Sequence, residues 1–363
     1  MALEVDILVA GAGPSGAAFA SVLAPRYRVV LADRQARPAP RIGESLIPAA
    51  RRLLRDMGLL QAFEAEPHAA YTGNRSFWGG AEEITDFIRD PDGLGWHLDR
   101  PRFESFLRRA AQARGATLLV PAHLTQPRRV GDGFEVTAET PDGPQSIRAR
   151  ILVDATGRTA TLAKSLGARR HNTDRLVAHW IRGEDRAARD TGFSTIESAP
   201  NGWWYTAPVC TGGTPARVLA YHTDPDQSAP PDLAAAAKAL PGLGPLLRRA
   251  GFEAISQTHT VPANSARLAP FAGDGWLALG DAALSFDPLA SRGVFSALYT
   301  ALFGAMAVDD LLTGAQPDLT PYAADLARVA DVYDGHLRHY YGADPRWRDH
   351  PFWQRRIRAP APA

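Results

Sequence analysis

Val5-Asp6-Ile7-Leu8-Val9-Ala10 runs directly into Gly11-Ala12-Gly13-Pro14-Ser15-Gly16, and an alanine-rich segment then leads to Val29-Val30-Leu31-Ala32-Asp33. The first part is an apolar run of the right length for one buried strand. Gly11 allows the tight turn after it, and Gly13 lets backbone N–H groups approach a pyrophosphate. Gly16 lets the next helix lie close to the strand. That helix starts at Pro14 and Ser15, so its partial positive end faces the phosphates. Asp33 ends the second strand at the spacing where a carboxylate reaches a ribose hydroxyl, with Arg34 beside it. Strand, loop, helix, strand and acid in this order read as a dinucleotide site in an α/β fold rather than a plain βαβ turn.

The bulk properties set limits on the rest. With 363 residues the chain can bury a large core divided into two regions. A net charge of +1 gives no general attraction to nucleic acid or to anionic membranes, so neither is expected as a partner. The basic residues are almost all arginine; the two lysines are Lys164 and Lys238. Cys210 is the single cysteine, which excludes an internal disulfide and a cysteine metal cluster, and no metal is expected. The N-terminus has no basic n-region, and the apolar run Val294–Val308 is short for a membrane span and contains Gly304. A cytoplasmic protein with a buried apolar helix is the expectation.

Further along, Arg41-Ile42-Gly43-Glu44-Ser45 precedes a helix with Pro48 in its first turn. Asp99 is placed to cap a helix carrying Phe103, Phe106 and Leu107 on one face. Leu124–Val130, Phe134–Thr140 and Ser146–Arg150 read as a three-stranded meander, after which Ile151–Asp154 returns to the parallel sheet. From Leu176 to Val261 strands dominate, with a helical insertion at 233–250, which predicts a separate sheet. Gly280-Asp281 follows the last core strand, so its acid can sit beside a pyrophosphate or a polyol chain. Gly293 opens a long helix whose N-terminal dipole can face developing negative charge. A helical segment follows, and the end Ala359–Ala363 is expected to fray.

Gly43-Glu44-Ser45, Asp154-Ala155-Thr156-Gly157-Arg158, Trp203-Trp204-Tyr205-Thr206-Ala207-Pro208 and Asp287-Pro288-Leu289-Ala290-Ser291-Arg292-Gly293 join these stretches. Together they resemble the flavin-dependent monooxygenases of the para-hydroxybenzoate hydroxylase superfamily, and more closely its halogenase-like branch. The resemblance implies bound FAD that activates oxygen once reduced. It also implies a Rossmann-type FAD-binding domain, discontinuous over 1–70, 100–170 and 266–312. An inserted antiparallel-sheet substrate domain would take 71–99 and 171–265, and a C-terminal helical segment 313–363. Implied cofactor contacts are Gly11, Gly13, Pro14, Ser15, Gly16, Asp33, Arg34, Arg41, Ser45, Arg100, Asp154, Gly280, Asp281, Pro288 and Gly293.

The departures from the branch are specific. Tryptophan halogenases hold a lysine near the substrate and a glutamate in a Pro-Leu-Glu-Ser-Thr-Gly loop. Here no lysine precedes Lys164, and Ala290 stands where the glutamate would be. Oxygen transfer needs neither residue, so hydroxylation is expected rather than halogenation. Asp154-Ala155-Thr156-Gly157-Arg158 replaces the Asp-Gly motif of single-component hydroxylases, and there is no second glycine fingerprint. A separate flavin reductase, or a transient NAD(P)H encounter, is the implied electron source. Gly95-Trp96-His97-Leu98-Asp99-Arg100 and the tail with Arg346-Trp347, Phe352-Trp353 and Arg355-Arg356 resemble flavoproteins that mature tryptophan-derived quinone cofactors. This implies a partner protein carrying the target tryptophan.

Each candidate side chain has two readings. His97 orients substrate or assists proton transfer, or else is a hydrogen-bonded structural histidine. Glu44 is a base near the flavin or a contact to loop backbone or an arginine, and Ser291 is grouped with these two as catalytic. Trp78, Trp96, Trp203, Trp204 and Tyr205 form the substrate-side aromatic set, though alternation along a strand sends some of them into ordinary core. Arg41 and Arg100 neutralise cofactor oxygens or simply pair with acids. Beside indole hydroxylation in a partner protein, the open alternatives are a small-molecule aromatic hydroxylase or halogenase-like enzyme, double-bond reduction as in geranylgeranyl reductase relatives, and a non-catalytic flavoprotein chaperone.

Overall fold

The computed structural model describes residues 2–186 and 192–357. The Ala359–Ala363 end lies outside the described residues.

Two large sheets organise the molecule. In the first, Leu3–Ala10 is central and parallel to Val29–Ala32 on one side and to Gly143–Asp154 on the other. Thr117–Leu119 and Trp276–Ala278 extend it in parallel. Ile7, Leu8 and Val9 are wholly buried, as expected for a strand covered on both faces. Helix Pro14–Leu23 covers one face and packs on the long helix Gly293–Thr313. That long helix is apolar and long enough to cross a bilayer, yet Leu298, Ala301, Ala305 and Val308 are fully buried in this core. The meander expected before residue 150 differs in one respect. Its third strand and the return to the parallel sheet are a single strand, Gly143–Asp154. Its first half pairs antiparallel with Gly133–Thr140, and the strand pairs parallel with Leu3–Ala10 along most of its length.

The second sheet orders as Glu253–Ala254, Val177–Glu184, Thr214–Thr223, Gly202–Thr211, Phe193–Ala199, Gly73–Phe77 and Glu83–Asp86, with His259–Pro262 also on Val177–Glu184. It is antiparallel except where Phe193–Ala199 runs parallel to Gly73–Phe77. Helices Leu233–Lys238 and Leu243–Arg249 cover its outer face. Part of the 71–99 segment leaves this sheet: Gly95–His97 pairs with Ser45–Leu46 and Ala69–Tyr71 in a small sheet of its own. The C-terminal helices Thr320–Gly342 and Pro351–Ile357 close over the junction, burying Tyr341, Phe352 and Trp353 against Trp203 and Leu176.

Candidate active site

One cavity of about 720 Å³ runs from the first glycine loop to the inner face of the second sheet. At one end lie Gly11, Gly13, Pro14, Ser15, Asp33 and Arg34. Gly11 has φ +101° and Gly16 presses on its carbonyl, so that an added Cβ on either would stand about 2 Å from backbone oxygen. Gly13 differs: a Cβ there meets nothing within 4 Å. No side chain caps helix Pro14–Leu23, so its first-turn N–H groups are left for a ligand. Asp33 accepts from the Ala12 N–H at 2.7 Å and pairs with Arg108 at 3.3 Å, which ties the second strand to the loop.

A second helix N-terminus enters the same space. Helix Gly293–Thr313 also lacks a side-chain cap, and Gly293 also has nothing within 4 Å of a Cβ position. The preceding loop lines the cavity with Phe286, Asp287, Pro288, Ser291 and Arg292. Ser291 has φ +49°, a left-handed conformation held by this turn. Two open, donor-rich helix ends on one elongated cavity fit an anion at one end and an electron-accepting ring at the other. The Arg100 Nε, buried beside the cavity without a partner, adds a further donor. The residues present therefore fit FAD.

Between the two ends is a buried polar group. Glu44 is fully buried; its Oε2 accepts from Gly43 N–H at 2.8 Å and its Oε1 lies 3.4 Å from Arg182. Burial raises its carboxyl above the ordinary range, with Arg182 and the Gly43 N–H opposing. Arg100 donates to the Gly43 carbonyl at 2.7 Å and to Glu104 at 2.7 Å, so it positions this loop besides lining the cavity. Arg41 pairs with Glu104 at 3.3 Å. Ser45 Oγ bonds both Tyr205 Oη at 3.0 Å and Ser194 Oγ at 3.1 Å. Burial, then the Glu44 charge, push the Tyr205 phenol up, and burial pushes neighbouring Tyr71 to about 12, so both hydroxyls keep their protons.

Several expected contacts lie elsewhere. His97 is fully buried outside the cavity, with Nε2 at 2.9 Å from the Gly192 carbonyl, and burial lowers it to about 4. It is the structural histidine of the two readings. Asp154 does not line the cavity; its carboxylate accepts from Thr156 and Ala163 N–H groups and so shapes the turn that does. Gly280 is packed against Ser15 and donates to Thr300, and it is Asp281 that reaches the cavity. Gly16 likewise works by close packing and not by cofactor contact.

The substrate-side tryptophans need the largest correction, because none of the four lines the cavity. Adjacent strand residues point to opposite faces. Trp204 therefore goes under the outer helices beside Tyr221. Trp203 shares the inner face with Tyr205, but its Nε1 donates to Tyr341 and the C-terminal helices cover it. Trp78 donates to the Tyr340 carbonyl and packs on Trp353. Trp96 stands edge-on to Phe63 beneath Arg51. Tyr205 alone of the set reaches the cavity, joined by Trp180, His222 and His259, which the sequence reading missed. The segment Val177–Glu184 reads VAHWIRGE without regular alternation, so no local pattern marked Trp180.

Asp287, another missed residue, links loop and tail. It accepts from Leu289 N–H at 2.9 Å and from the Tyr341 hydroxyl at 2.7 Å. Burial, reinforced by Asp174, pushes its carboxyl up to about 7, against the pull of Leu289, Tyr341 and Arg356. A carboxyl raised on folding contributes stability below the ordinary carboxylate range, and that contribution is lost as pH rises to about 7. Asp287→Asn keeps an acceptor for Leu289 without the charge. Wild-type stability is expected to fall relative to this variant between roughly pH 4 and 7, by about 1 kcal/mol per pH unit. Denaturant melts across that range check it, and parallel profiles would refute the assignment.

A parallel sheet with an open glycine loop, sharing one elongated cavity with a second sheet, defines an FAD-dependent oxidoreductase of the monooxygenase and halogenase class. The chain belongs to the FAD binding domain family, which matches residues 4–318. It is 30% identical over 364 residues to LodB of Marinomonas mediterranea, described as an FAD-dependent oxidoreductase, covering 97% of this chain and 96% of that protein. The flavin-dependent halogenase CmlS shares the fold, with a TM-score of 0.86 at 21% identity, covering 99% of this chain and 68% of that one. QhpG, a peptidyl tryptophan dihydroxylase essential for tryptophylquinone cofactor biogenesis, superposes with a TM-score of 0.72 at 26% identity, covering 97% of this chain and 78% of that one.

Proposed function

We propose that this enzyme adds oxygen to an indole, the side chain of a tryptophan in a partner protein, during maturation of a quinone cofactor. The observation that carries this reading is the continuity of the cavity. It joins the glycine-loop end to an aromatic wall of Trp180, Tyr205, His222 and His259, and neither lysine lines it. The likeness to QhpG supports a tryptophan within a polypeptide as the target. The four tryptophans expected on the substrate side do not support it, since they pack against the protein's own rings.

FAD, when bound and reduced, supplies activated oxygen. The chain's own residues do the rest. The glycine loop and Asp33 would hold the nucleotide end, and Arg100 and Arg41 keep the 41–45 loop in place through Glu104. The inner-face rings orient the substrate, and Phe286, Pro288, Val261 and Pro262 exclude water from it. An indole carbon is nucleophilic enough to react without a base. Protons leaving the ring afterwards have a hydroxyl route along Tyr205, Ser45 and Ser194. Electrons are supplied by a separate flavin reductase or by brief contact with NAD(P)H.

Intact-mass analysis of the candidate partner, co-expressed with and without this enzyme, tests the reading. The partner's tryptophan-bearing peptide is expected to gain mass in whole oxygen atoms only when the enzyme is present. An unmodified partner, together with efficient hydroxylation of a free small aromatic, would overturn it.

A further inference from the structure

The inner face of the second sheet has a pattern of large and small side chains that leaves a recess. Three strands lie side by side here. Trp180, Ala220 and Tyr205 form one cross-strand row, and Ala178, His222 and Trp203 the next. In the first row two rings flank an alanine; in the second an alanine lies beside the imidazole. Ala178, Trp180, Tyr205 and His222 all line the cavity. Trp180 and Tyr205 stand two strands apart, about 10 Å from backbone to backbone, which leaves room for a flat aromatic beside them.

Two of the rings at this recess, His222 and Trp180, are held by stacking, whereas Tyr205 is held by its bond to Ser45. His222 lies flat on Trp203, with centroids 3.7 Å apart and planes at 7°, and Trp180 stacks on His259 at 4.8 Å. His222 is 1% exposed, yet neither of its ring nitrogens meets a hydrogen-bond partner. The Trp180 Nε1, also buried, has none either. A buried polar atom without a partner is costly, so two such groups on residues lining one cavity mark a place where a ligand completes the bonding. Burial pushes His222 down to about 3, with the Trp203 backbone opposing. The imidazole is therefore neutral at working pH, with one nitrogen free to accept.

We propose that His222 is a substrate-recognition residue, whose imidazole accepts a hydrogen bond from the N–H of an indole seated over Ala178 beside the Trp180 and Tyr205 rings. This deepens the proposed function and rests on its assignment of an aromatic substrate. It assigns the class of ring selected: uncharged, flat and bearing an N–H donor. An N-alkylated ring presents a methyl group to a buried acceptor, leaving that acceptor unpaired.

The test is equilibrium binding to the FAD-loaded, oxidised enzyme, with 3-methylindole and 1,3-dimethylindole as probes, so that no turnover is needed. Wild type is expected to bind 3-methylindole at least tenfold more tightly than its N-methyl counterpart. His222→Phe retains the stacking on Trp203 without a nitrogen; it should bind both probes alike and keep its affinity for FAD. His222→Gln, which restores an acceptor, should recover part of the preference and serves if the Phe variant does not fold. No measurable binding of 3-methylindole to wild type would overturn the proposal. So would an unchanged preference in the Phe variant, or loss of FAD affinity in the folded Gln variant. If the N–H preference holds and the partner protein gains no oxygen, recognition stands and the proposed function fails.

Discussion

Gly13→Val should yield a folded, colourless protein whose affinity for FAD is reduced at least a hundredfold, about 2.7 kcal/mol. The expectation rests on the contrast among the three loop glycines. A Cβ at Gly11 would stand 2.2 Å from the Ala155 carbonyl oxygen, and one at Gly16 would stand 1.9 Å from that of Gly11. Substitution at either drives protein atoms into protein atoms and is expected to damage the fold before it affects the ligand. At Gly13 the Cβ direction is empty and opens on the cavity, and its φ of −76° suits any residue. Valine therefore leaves the strand, the turn and helix Pro14–Leu23 intact. Its branched methyl groups take the space where phosphate oxygens meet the first-turn N–H groups. The readouts are flavin absorbance after purification and a fluorescence titration of the apoprotein with FAD. Full occupancy with unchanged affinity would show that the pyrophosphate lies elsewhere.

Those glycines also show which parts of the site can be read from the sequence. Strand, loop and helix from Leu3 to Leu23 are contiguous, and their geometry follows from short-range sterics, so Gly11, Gly13 and Ser15 fall where the spacing places them. Asp33, Asp281 and Gly293 were readable for the same reason: each follows directly on a strand end or opens a helix. Gly280 and Asp154 were half readable. They sit at the right turns, but Gly280 packs against Ser15 and Asp154 bonds Thr156 and Ala163, so they shape the cavity wall without facing it.

The aromatic side was not readable, because what faces the cavity there depends on pairing between strands far apart in sequence. Trp203 and Trp204 are neighbours in the chain and lie on opposite faces of the sheet. What covers Trp203 is Tyr341, 138 residues away. His222 has no local motif at all; it becomes a cavity residue only when Thr214–Thr223 pairs with Val177–Glu184 and sets Ala178 beside it. Asp287 lay within a recognised loop, but its role depends on Tyr341 and Tyr333 arriving from the C-terminal helix. The tail, read only as a subfamily resemblance, is tied to the second sheet, with Trp353 donating to the Ala199 carbonyl and Arg356 pairing with Asp224.

Supplied with reduced flavin, oxygen and excess chloride or bromide, the enzyme is expected to form oxygenated product and no halogenated product. The fold by itself does not decide this, since CmlS, a halogenase, superposes with a TM-score of 0.86. The expectation rests on the residues at the cavity. The halogenase pattern requires an ammonium group near the substrate to hold and deliver the halogen. Neither Lys164 nor Lys238 lines the cavity, whose cations are the guanidinium groups of Arg34, Arg41, Arg100, Arg158 and Arg292. A guanidinium stays protonated and has no nitrogen lone pair to take up halogen, so arginine does not substitute for lysine here. Ala290, at the position of the halogenase glutamate, carries no polar group and packs towards the core instead of the cavity. Oxygen transfer requires neither group; it requires a dry, oriented ring, which the Trp180 and Tyr205 wall can supply. Mass spectrometry of indole products formed with and without halide makes the comparison, with a tryptophan halogenase as positive control. A chlorinated or brominated indole at turnover comparable to oxygenation would show that halogen transfer on this scaffold dispenses with the lysine.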